Sequence, residues 1–272
     1  MSTVSNPVGK RISIKEGLFF IVLYLVFAVF TIICIYPFYY LIINSISAND
    51  ISARGDVMFY PVGVHLKNYV DVVKIKGLGQ SAFVSVARTV LGTLFTLLGS
   101  SFLGFMFTQK KLWQRQFWYR FTIATMYFSA GIIPWYITMM NLKLTNNFLA
   151  YVLPAVVQPF NIILVKTYIE NTPIALQEAA EIDGAGVLRI YAQVVAPITK
   201  PVLATVAIFS AVGQWNAFQD TLILMTDQKL HTLQYTLYQY INQASSLARL
   251  IQSTGGTISE SVVNAATKQT PT

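Results

Sequence analysis

The chain has 272 residues, of which 54% are hydrophobic and only 11% charged, against about a quarter charged in soluble domains. This composition excludes an ordinary soluble enzyme and indicates an integral membrane protein. The formal net charge is +8, but no basic helix or aromatic RNA-binding platform accompanies it, so basic loops facing anionic headgroups explain it better than nucleic acid does. Cys34 is the single cysteine, which excludes a disulfide framework and a thiolate metal site.

Five apolar runs are long enough to cross a bilayer core, which needs about 20 helical residues. We predict an all-α membrane protein with spans at about 17–43, 83–107, 121–140, 148–169 and 202–225. Residues 1–16 form a polar, basic tail, which we place in the cytoplasm, and residues 17–226 form one transmembrane domain. Residues 227–272 hold no further run of spanning length, and the odd number of spans places them outside the cell.

The second span carries Arg88, Gly92, Thr96, Ser100 and Gly104 at every fourth position. This spacing puts one arginine and a series of small residues on one helical face, where another helix can approach closely. Packing within the chain, a subunit contact and the lining of a pathway all remain open. A charge is costly in lipid, so the arginine should face protein, water or the outer headgroups.

The third and fourth spans carry residues that disturb helices. Gly131 and Pro134 interrupt the third span, and Pro154 and Pro159 fall inside the fourth. Prolines are tolerated in a membrane where neighbouring helices satisfy the freed carbonyl groups. The basic, tryptophan-containing residues 108–120 before the third span are typical of a short cytoplasmic connection.

A polar stretch, residues 172–201, separates the fourth and fifth spans. Thr172 can cap a short helix that runs through Ile182, with Pro173 at its first position. Gly184 and Gly186 predict a break, and a second helical segment, residues 187–195, should end at Pro197. The stretch therefore reads as a helix–turn–helix on the cytoplasmic side, exposed to another protein.

The end of the fifth span is unusually polar, because it contains Gln214, Trp215, Asn216, Gln219 and Asp220. Asn216 and Asp220 are four residues apart and should share a helical face, and the acid has no evident partner. Polar groups in a span face a water-filled pathway or a partner helix. A tryptophan beside amides suits sugars, but hydrogen bonding between helices without substrate explains the same residues.

The sequence lacks the motifs that nucleotide binding, serine hydrolysis and metal binding require. The sequence contains no phosphate-binding loop of the GxxxxGK[ST] type and no Gly-x-Ser-x-Gly elbow. His65 and His231 lie far apart, without metal-ligand spacing. We therefore expect no catalytic residue, no metal site and no cofactor bound by this chain.

The stretch EAAEIDGAG, followed by VVAP at residues 194–197, resembles the EAA loop of permease subunits of bacterial ABC importers. FSAGIIPWYI, PVLATVAIFSAVGQWN and LHTLQ are similar to the sugar-importer branch, which includes the maltose permeases and the lipoprotein-associated polysaccharide permeases. The resemblance covers nearly the whole chain. The main departure is Ala196, where leucine is usual.

The resemblance implies a multi-pass subunit of the bacterial cytoplasmic membrane that passes a sugar or oligosaccharide through a pathway shared with a second permease subunit. Two ATPase subunits, which bind the ATP, and an extracytoplasmic binding protein would complete the importer. The residues implied in coupling to the ATPase are Glu178, Ala179, Ala180, Glu181, Ile182, Asp183, Gly184 and Pro197. The residues assigned to the substrate pathway are Arg88, Gln214, Trp215, Asn216 and Asp220.

The resemblance implies six spans, and only five are predicted. Either the sequence is truncated within residues 227–272 before a sixth span, which we expect, or this chain manages with five. A stand-alone secondary transporter or channel is the alternative function, although no internal repeat or paired ionisable residues at the midplane favour it. A scaffold without transport is a third possibility, which the polar end of the fifth span disfavours.

Overall fold

A computed structural model describes residues 14–253, which form helices, turns and loops without a strand. The prediction of an all-α membrane protein is confirmed. The chain divides into two compact units, Met1–Ile75 and Lys76–Thr272. Most of the predicted N-terminal tail and the last 19 residues of the predicted C-terminal segment lie outside the described range.

The first unit consists of α1 (Ile14–Ser45), α2 (Asn49–Arg54) and α3 (Lys67–Val73). The 32-residue α1 overlaps the first predicted span. Within this unit the loop after α2 folds against the end of α1. The Tyr36 hydroxyl donates to the carbonyl of Met58 over 3.2 Å, and the Tyr39 hydroxyl donates to that of Phe59 over 2.6 Å.

The second unit contains the other helices. They are α4 (Leu78–Met106), α5 (Arg115–Ala124), α6 (Ile132–Asn141), α7 (Leu149–Val152), α8 (Pro159–Glu170), α9 (Ala175–Ile182), α10 (Val187–Ile190), α11 (Ala196–Ile198), α12 (Lys200–Asn216), α13 (Gln219–Leu224) and α14 (Leu233–Ser253). A 3₁₀ turn, Leu153–Ala155, extends α7, and a π turn, Tyr191–Val195, joins α10 to α11.

Helices α1 and α4 are each long and apolar enough to cross a membrane. Two bent pairs bring the total to four candidates if each pair is one span: α7 with its 3₁₀ turn bends by 43° into α8, and the α10–α11 segment bends by 78° into α12. Three predicted spans are not single helices: 148–169 breaks at residues 156–158, between the 3₁₀ turn and α8, and the spans 121–140 and 202–225 are also interrupted. Residues 125–131 separate α5 from α6, and residues 217–218 separate α12 from α13.

Helix α4 is the centre of the second unit and packs against both α8 and α12. One apolar cluster beside it contains Phe105, Val165 and Val206, and a second contains Val84, Tyr151 and Leu224. The burial of these side chains supplies apolar contact area on both halves of α4. Both bent segments are therefore held against the same helix, α4.

The small residues of α4 allow this close packing. Arg88, Gly92, Thr96, Ser100 and Gly104 are all buried. A Cβ atom on Gly92 would lie 2.6 Å from Nε2 of Gln214, and one on Gly104 would lie 2.9 Å from the Val165 side chain. Of the three interpretations of this face, the structure supports packing within the chain.

The same face compensates for a proline. Pro159 has no N–H with which to satisfy the carbonyl of Ala155, four residues earlier. The hydroxyl of Thr96 lies 2.8 Å from that carbonyl and equally 2.8 Å from the carbonyl of Gly92, so its one proton is shared between them. The expectation that a neighbouring helix satisfies a carbonyl freed by proline is confirmed here.

Gly92→Val tests the close approach of α4 to α12. The added methyl groups would overlap Gln214, and overpacking of this kind costs about 1–3 kcal/mol. Gly79→Val is the matched control, because a Cβ there, on the same helix, meets nothing within 4 Å. We expect a lower melting temperature and less monodisperse protein for Gly92→Val alone, measured by thermal shift and size-exclusion chromatography. Equal losses for both variants would contradict the packing role.

Candidate functional site

Two of the interruptions, those in the predicted spans 121–140 and 202–225, line one cavity. Its volume is about 740 Å³. The lining consists of Phe128, Ser129, Ala130, Gly131, Ile132, Pro134, Trp135 and Thr138 from the first interruption and the start of α6, with Asn216, Ala217, Phe218, Gln219, Asp220 and Ile223 from the second. Backbone that is not helical is tolerated at membrane depth only where it is buried in protein or lines a water-filled cavity.

Each interruption has a local cause. Gly131 has a φ of 83°, in a region that residues with a side chain rarely adopt, and Pro134 follows in the first turn of α6. Ala217 has an extended backbone, with a ψ of 132°, which ends α12 before α13 starts at Gln219. The predicted helical face shared by Asn216 and Asp220 does not exist, because these residues belong to two separate helices.

Arg88, which is buried on α4 outside the cavity lining, holds the second interruption in place. Its Nε donates to Oε1 of Gln214 over 2.8 Å, and its Nη1 donates to the carbonyl of Ala217 over 3.1 Å. Both Nη atoms also bind the carboxylate of Asp220, with Nη1 at 2.9 Å from Oδ1. The arginine side chain is only 4% exposed. The inference that Asp220 lacks a partner is therefore wrong, because residues 132 positions apart meet only in the folded chain.

Tyr151 completes this polar cluster. The Arg88 guanidinium lies over the Tyr151 ring, 4.6 Å from its centroid, which adds a cation–π contact. The Tyr151 hydroxyl donates to the carbonyl of Leu230 over 2.8 Å and lies 3.0 Å from the hydroxyl of Thr221. The cluster therefore joins α4, α7, the end of α12 and α13 in one hydrogen-bonded network.

The cavity combines aromatic rings with neutral hydrogen-bonding groups. Phe128, Trp135 and Phe218 offer apolar surfaces, while Asn216 and Gln219 offer amide donors and acceptors. Among the residues that the structure describes, Asp220 is the only charged side chain in the lining, and its charge is balanced by Arg88. Sugar rings have apolar faces and hydroxyl edges, so this lining suits a polar, uncharged part of a carbohydrate.

The residues assigned to the pathway have different positions. Asn216 and Asp220 line the cavity, whereas Arg88 and Gln214 are buried behind it. Trp215 is 44% exposed and lies outside the lining. Trp135 and Phe218 also line the cavity, and neither was assigned to the site from the sequence. The signal that could have found the tryptophan is its position directly after Gly131 and Pro134, which interrupt an apolar span.

The helix–turn–helix is a second exposed feature. In α9, Glu178 and Glu181 are exposed, and Ile182 exposes 86% of its surface. Gly184 has a φ of 81°, which explains the turn after α9. The predicted cap at Thr172 is absent, because its hydroxyl donates backward to the carbonyl of Ile169 over 2.6 Å.

The second part of this feature is longer than predicted. A π turn, Tyr191–Val195, carries the chain from α10 into α11, so Pro197 lies within the helical segment instead of ending it. A π turn widens the helix, which accommodates the missing N–H of a proline. The Tyr191 hydroxyl donates to Oγ of Ser101 over 3.0 Å, and its ring packs against Phe105. The helix–turn–helix is thereby attached to α4.

The loop after α4 holds α9 from the other side. Nζ of Lys111 lies 3.2 Å from the carboxylate of Glu181, and the Gln109 amide donates to Gln177 over 3.1 Å. The exposed pair adds little stability, but the amide contact also fixes the position of α9. Within residues 14–253 no group of three or more His, Cys, Asp or Glu side chains could hold a metal ion.

Comparisons with known proteins agree on one family. Residues 100–265 match the model of the family described as "Binding-protein-dependent transport system inner membrane component". The chain is 29% identical to the polygalacturonan/rhamnogalacturonan transport system permease protein YtcP of Bacillus subtilis (strain 168), over 86% of this chain and 82% of that protein. It is 31% identical to the protein LplC of the same strain, over 85% of this chain and 77% of that protein.

A solved structure is also similar. It is a bacterial ABC transporter involved in the import of the acidic polysaccharide alginate, and the chain matches it with a TM-score of 0.77 at 26% identity. The match covers 97% of this chain and 89% of the other.

Arg88→Met tests whether the buried ion pair holds the second interruption. Removing one partner of a buried pair costs about 3–5 kcal/mol, because the remaining charge is left uncompensated. We expect a large drop in melting temperature for Arg88→Met and partial recovery in Arg88→Met/Asp220→Leu. Lys74→Met, which breaks the exposed pair with Asp71, is the control and should change little. A drop for Arg88→Met no larger than the control would refute the role.

Proposed function

The chain belongs to the family of binding-protein-dependent transport system inner membrane components, and from this we propose that it is a permease subunit of an ATP-driven importer for a sugar or oligosaccharide. The observation that carries the proposal is the cavity at which two interrupted spans meet, lined by aromatic rings and amides. In a transport protein of this family, such a cavity is the part of the chain best suited to contact the substrate.

The names of related proteins support the substrate class. YtcP is named for the transport of polygalacturonan and rhamnogalacturonan, and the similar solved structure is described as importing alginate. The cavity adds a physical reason, because Trp135 and Phe218 can stack on sugar rings while Asn216 and Gln219 can bind hydroxyl groups. Asp220 is neutralised by Arg88, and no cation is among the described residues that line the cavity.

The helix–turn–helix is the proposed coupling element. The exposed surface of Glu178, Ala179, Ile182 and Asp183 would dock into a cleft of a separate ATPase subunit, which binds and hydrolyses the ATP. Movement of α9 would reach the spans through Ala180, which packs on the cluster around Phe105, and through the Tyr191–Ser101 hydrogen bond. A short helix closed by Gly184 transmits displacement better than a flexible loop would.

The remaining components follow from the same proposal. A second permease subunit would complete the pathway, two ATPase subunits would bind the coupling helices, and an extracytoplasmic protein would deliver the sugar. The subunit would lie in the cytoplasmic membrane of a bacterium, with α9 on the cytoplasmic side. The chain itself would bind no cofactor or metal and catalyse no reaction. A stand-alone secondary transporter is not favoured, because the family match is to components of binding-protein-dependent systems.

Ile182→Asp tests the docking of α9. Because Ile182 is exposed in the isolated subunit, the variant should fold and insert normally. Burial of such a side chain in a partner is worth about 1.5–3 kcal/mol, so we expect substrate-stimulated ATPase activity of the assembled complex to fall about tenfold or more. Glu178→Lys should act in the same direction. Leu142→Asp, at a turn where the leucine is 62% exposed, is the control. Normal stimulation in both α9 variants would overturn the coupling proposal.

Trp135→Ala tests whether the cavity holds the sugar. Stacking of a sugar on this ring contributes about 1.4 kcal/mol of binding free energy. Its loss should lower the uptake rate about tenfold at low substrate concentration. Trp215→Ala removes a tryptophan that lies outside the lining and is the matched control. Asn216→Leu should alter the preference among sugars, because it removes an amide from the lining. The measurement is uptake of labelled oligosaccharides by cells that express each variant. Uptake that is reduced equally by both tryptophan variants would argue against the cavity.

A further inference from the structure

A smaller cavity lies between α5 and α8. It is separate from the 740 Å³ cavity described above, which we call the aromatic cavity. The volume of the smaller cavity is about 260 Å³. The lining residues are Phe107, Arg115, Gln116, Tyr119, Arg120, Lys166 and Glu170. None of them belongs to the proposed pathway or to the coupling surface of α9.

The cavity carries an excess of positive charge. Lys166 is satisfied, because its Nζ lies 2.7 Å from Oε2 of Glu170 and over the Tyr119 ring, 4.2 Å from the centroid. Arg115 uses one Nη atom on the carbonyl of Thr108, over 3.0 Å. The Arg120 side chain is exposed and makes no hydrogen bond or ion pair with another residue in the described range. Three cations thus face one carboxylate, and most of the arginine donors remain available to an anion.

The opposite face of α5 is aromatic. Phe117, Trp118 and Phe121 are exposed by 56%, 43% and 55%. Their rings contact one another, with Phe117 and Phe121 stacked at 6.4 Å. A helix of ten residues is about 15 Å long, half the thickness of the hydrocarbon core. Exposed tryptophan and phenylalanine beside arginine are typical of the level of the lipid headgroups.

We propose that this cavity binds the phosphate of an anionic phospholipid headgroup. The arginines would donate to the phosphate oxygens, and the aromatic face would pack among the upper parts of the acyl chains. Basic pockets between membrane helices are known to hold anionic headgroups. An acidic segment of a protein partner would also explain the cations, but the exposed aromatic rings on the same helix indicate that the arginines lie at the level of the lipid headgroups, which favours a lipid.

Because of the position of this cavity, a bound lipid would also affect the loop that holds α9. Arg115 and Glu170 also line the 310 Å³ cavity beneath α9, which Gln177 and Glu181 border on the other side. A headgroup that fixes Arg115 would therefore order the loop that holds α9. The proposed lipid site requires no particular transported substrate.

The test uses the full chain in its assembled complex, stripped of lipid and titrated with phosphatidylglycerol under native mass spectrometry. We expect tight retention of phosphatidylglycerol by the wild type. Arg120→Gln should weaken binding about fivefold, and Arg115→Gln/Arg120→Gln about 25-fold. Lys110→Gln removes an exposed cation from the same loop, outside this cavity, and should bind normally. Because Arg120 is exposed, its variant should fold.

Each contrary result has a distinct meaning. If Lys110→Gln weakened phosphatidylglycerol binding as much as the arginine variants do, the lipid would bind to a diffuse basic surface and not to this cavity. Equal binding of phosphatidylcholine would overturn recognition of an anionic lipid. If inorganic phosphate bound as tightly as the lipid, the proposal that the bound phosphate belongs to a lipid would be wrong. Unchanged lipid retention with loss of an ATPase subunit in the arginine variants would assign the cavity to a protein partner.

Discussion

A buried arginine in an apolar helix must find partners inside the protein, and Arg88 finds them at the point where α12 ends. Its bonds to Gln214, Ala217 and Asp220 hold the interruption of the predicted fifth span against α4. An extended backbone at this depth would otherwise leave polar groups unsatisfied in lipid. The aromatic cavity exists because this interruption, together with the one at Gly131, is kept open.

Helix α4 connects the cavity with the helix–turn–helix. One end carries Arg88 and contacts the cavity wall, while the other carries Ser101 and Phe105, which bind and pack against Tyr191. Between them, Gly92 and Gly104 allow α12 and α8 to approach so closely that the three helices share one packed surface. A displacement of α9 would therefore reach the cavity through packed side chains, which fits the transmission proposed for the importer.

The sequence predicted much of this framework for local reasons. The four-residue repeat of small residues on α4 required a packed face whatever the partner helix was, and this face is buried. The turn at Gly184 followed from the freedom of glycine to adopt a positive φ. The tolerance of Pro159 was also predictable, although its compensating donor, Thr96, lies 59 positions from Ala155 and could not be identified in advance.

The sequence by itself determined the class of the protein, the positions of its apolar stretches and the exposed helix–turn–helix, because composition and local periodicity fix how each segment meets lipid or water. Only the tertiary structure decided which polar residues pair. Asp220 looked unpaired because its partner, Arg88, belongs to another span. The tertiary structure also decided where three of the predicted spans are interrupted and that Trp135 joins Asn216 at one cavity. Such pairings join distant parts of the chain, and no local pattern encodes them.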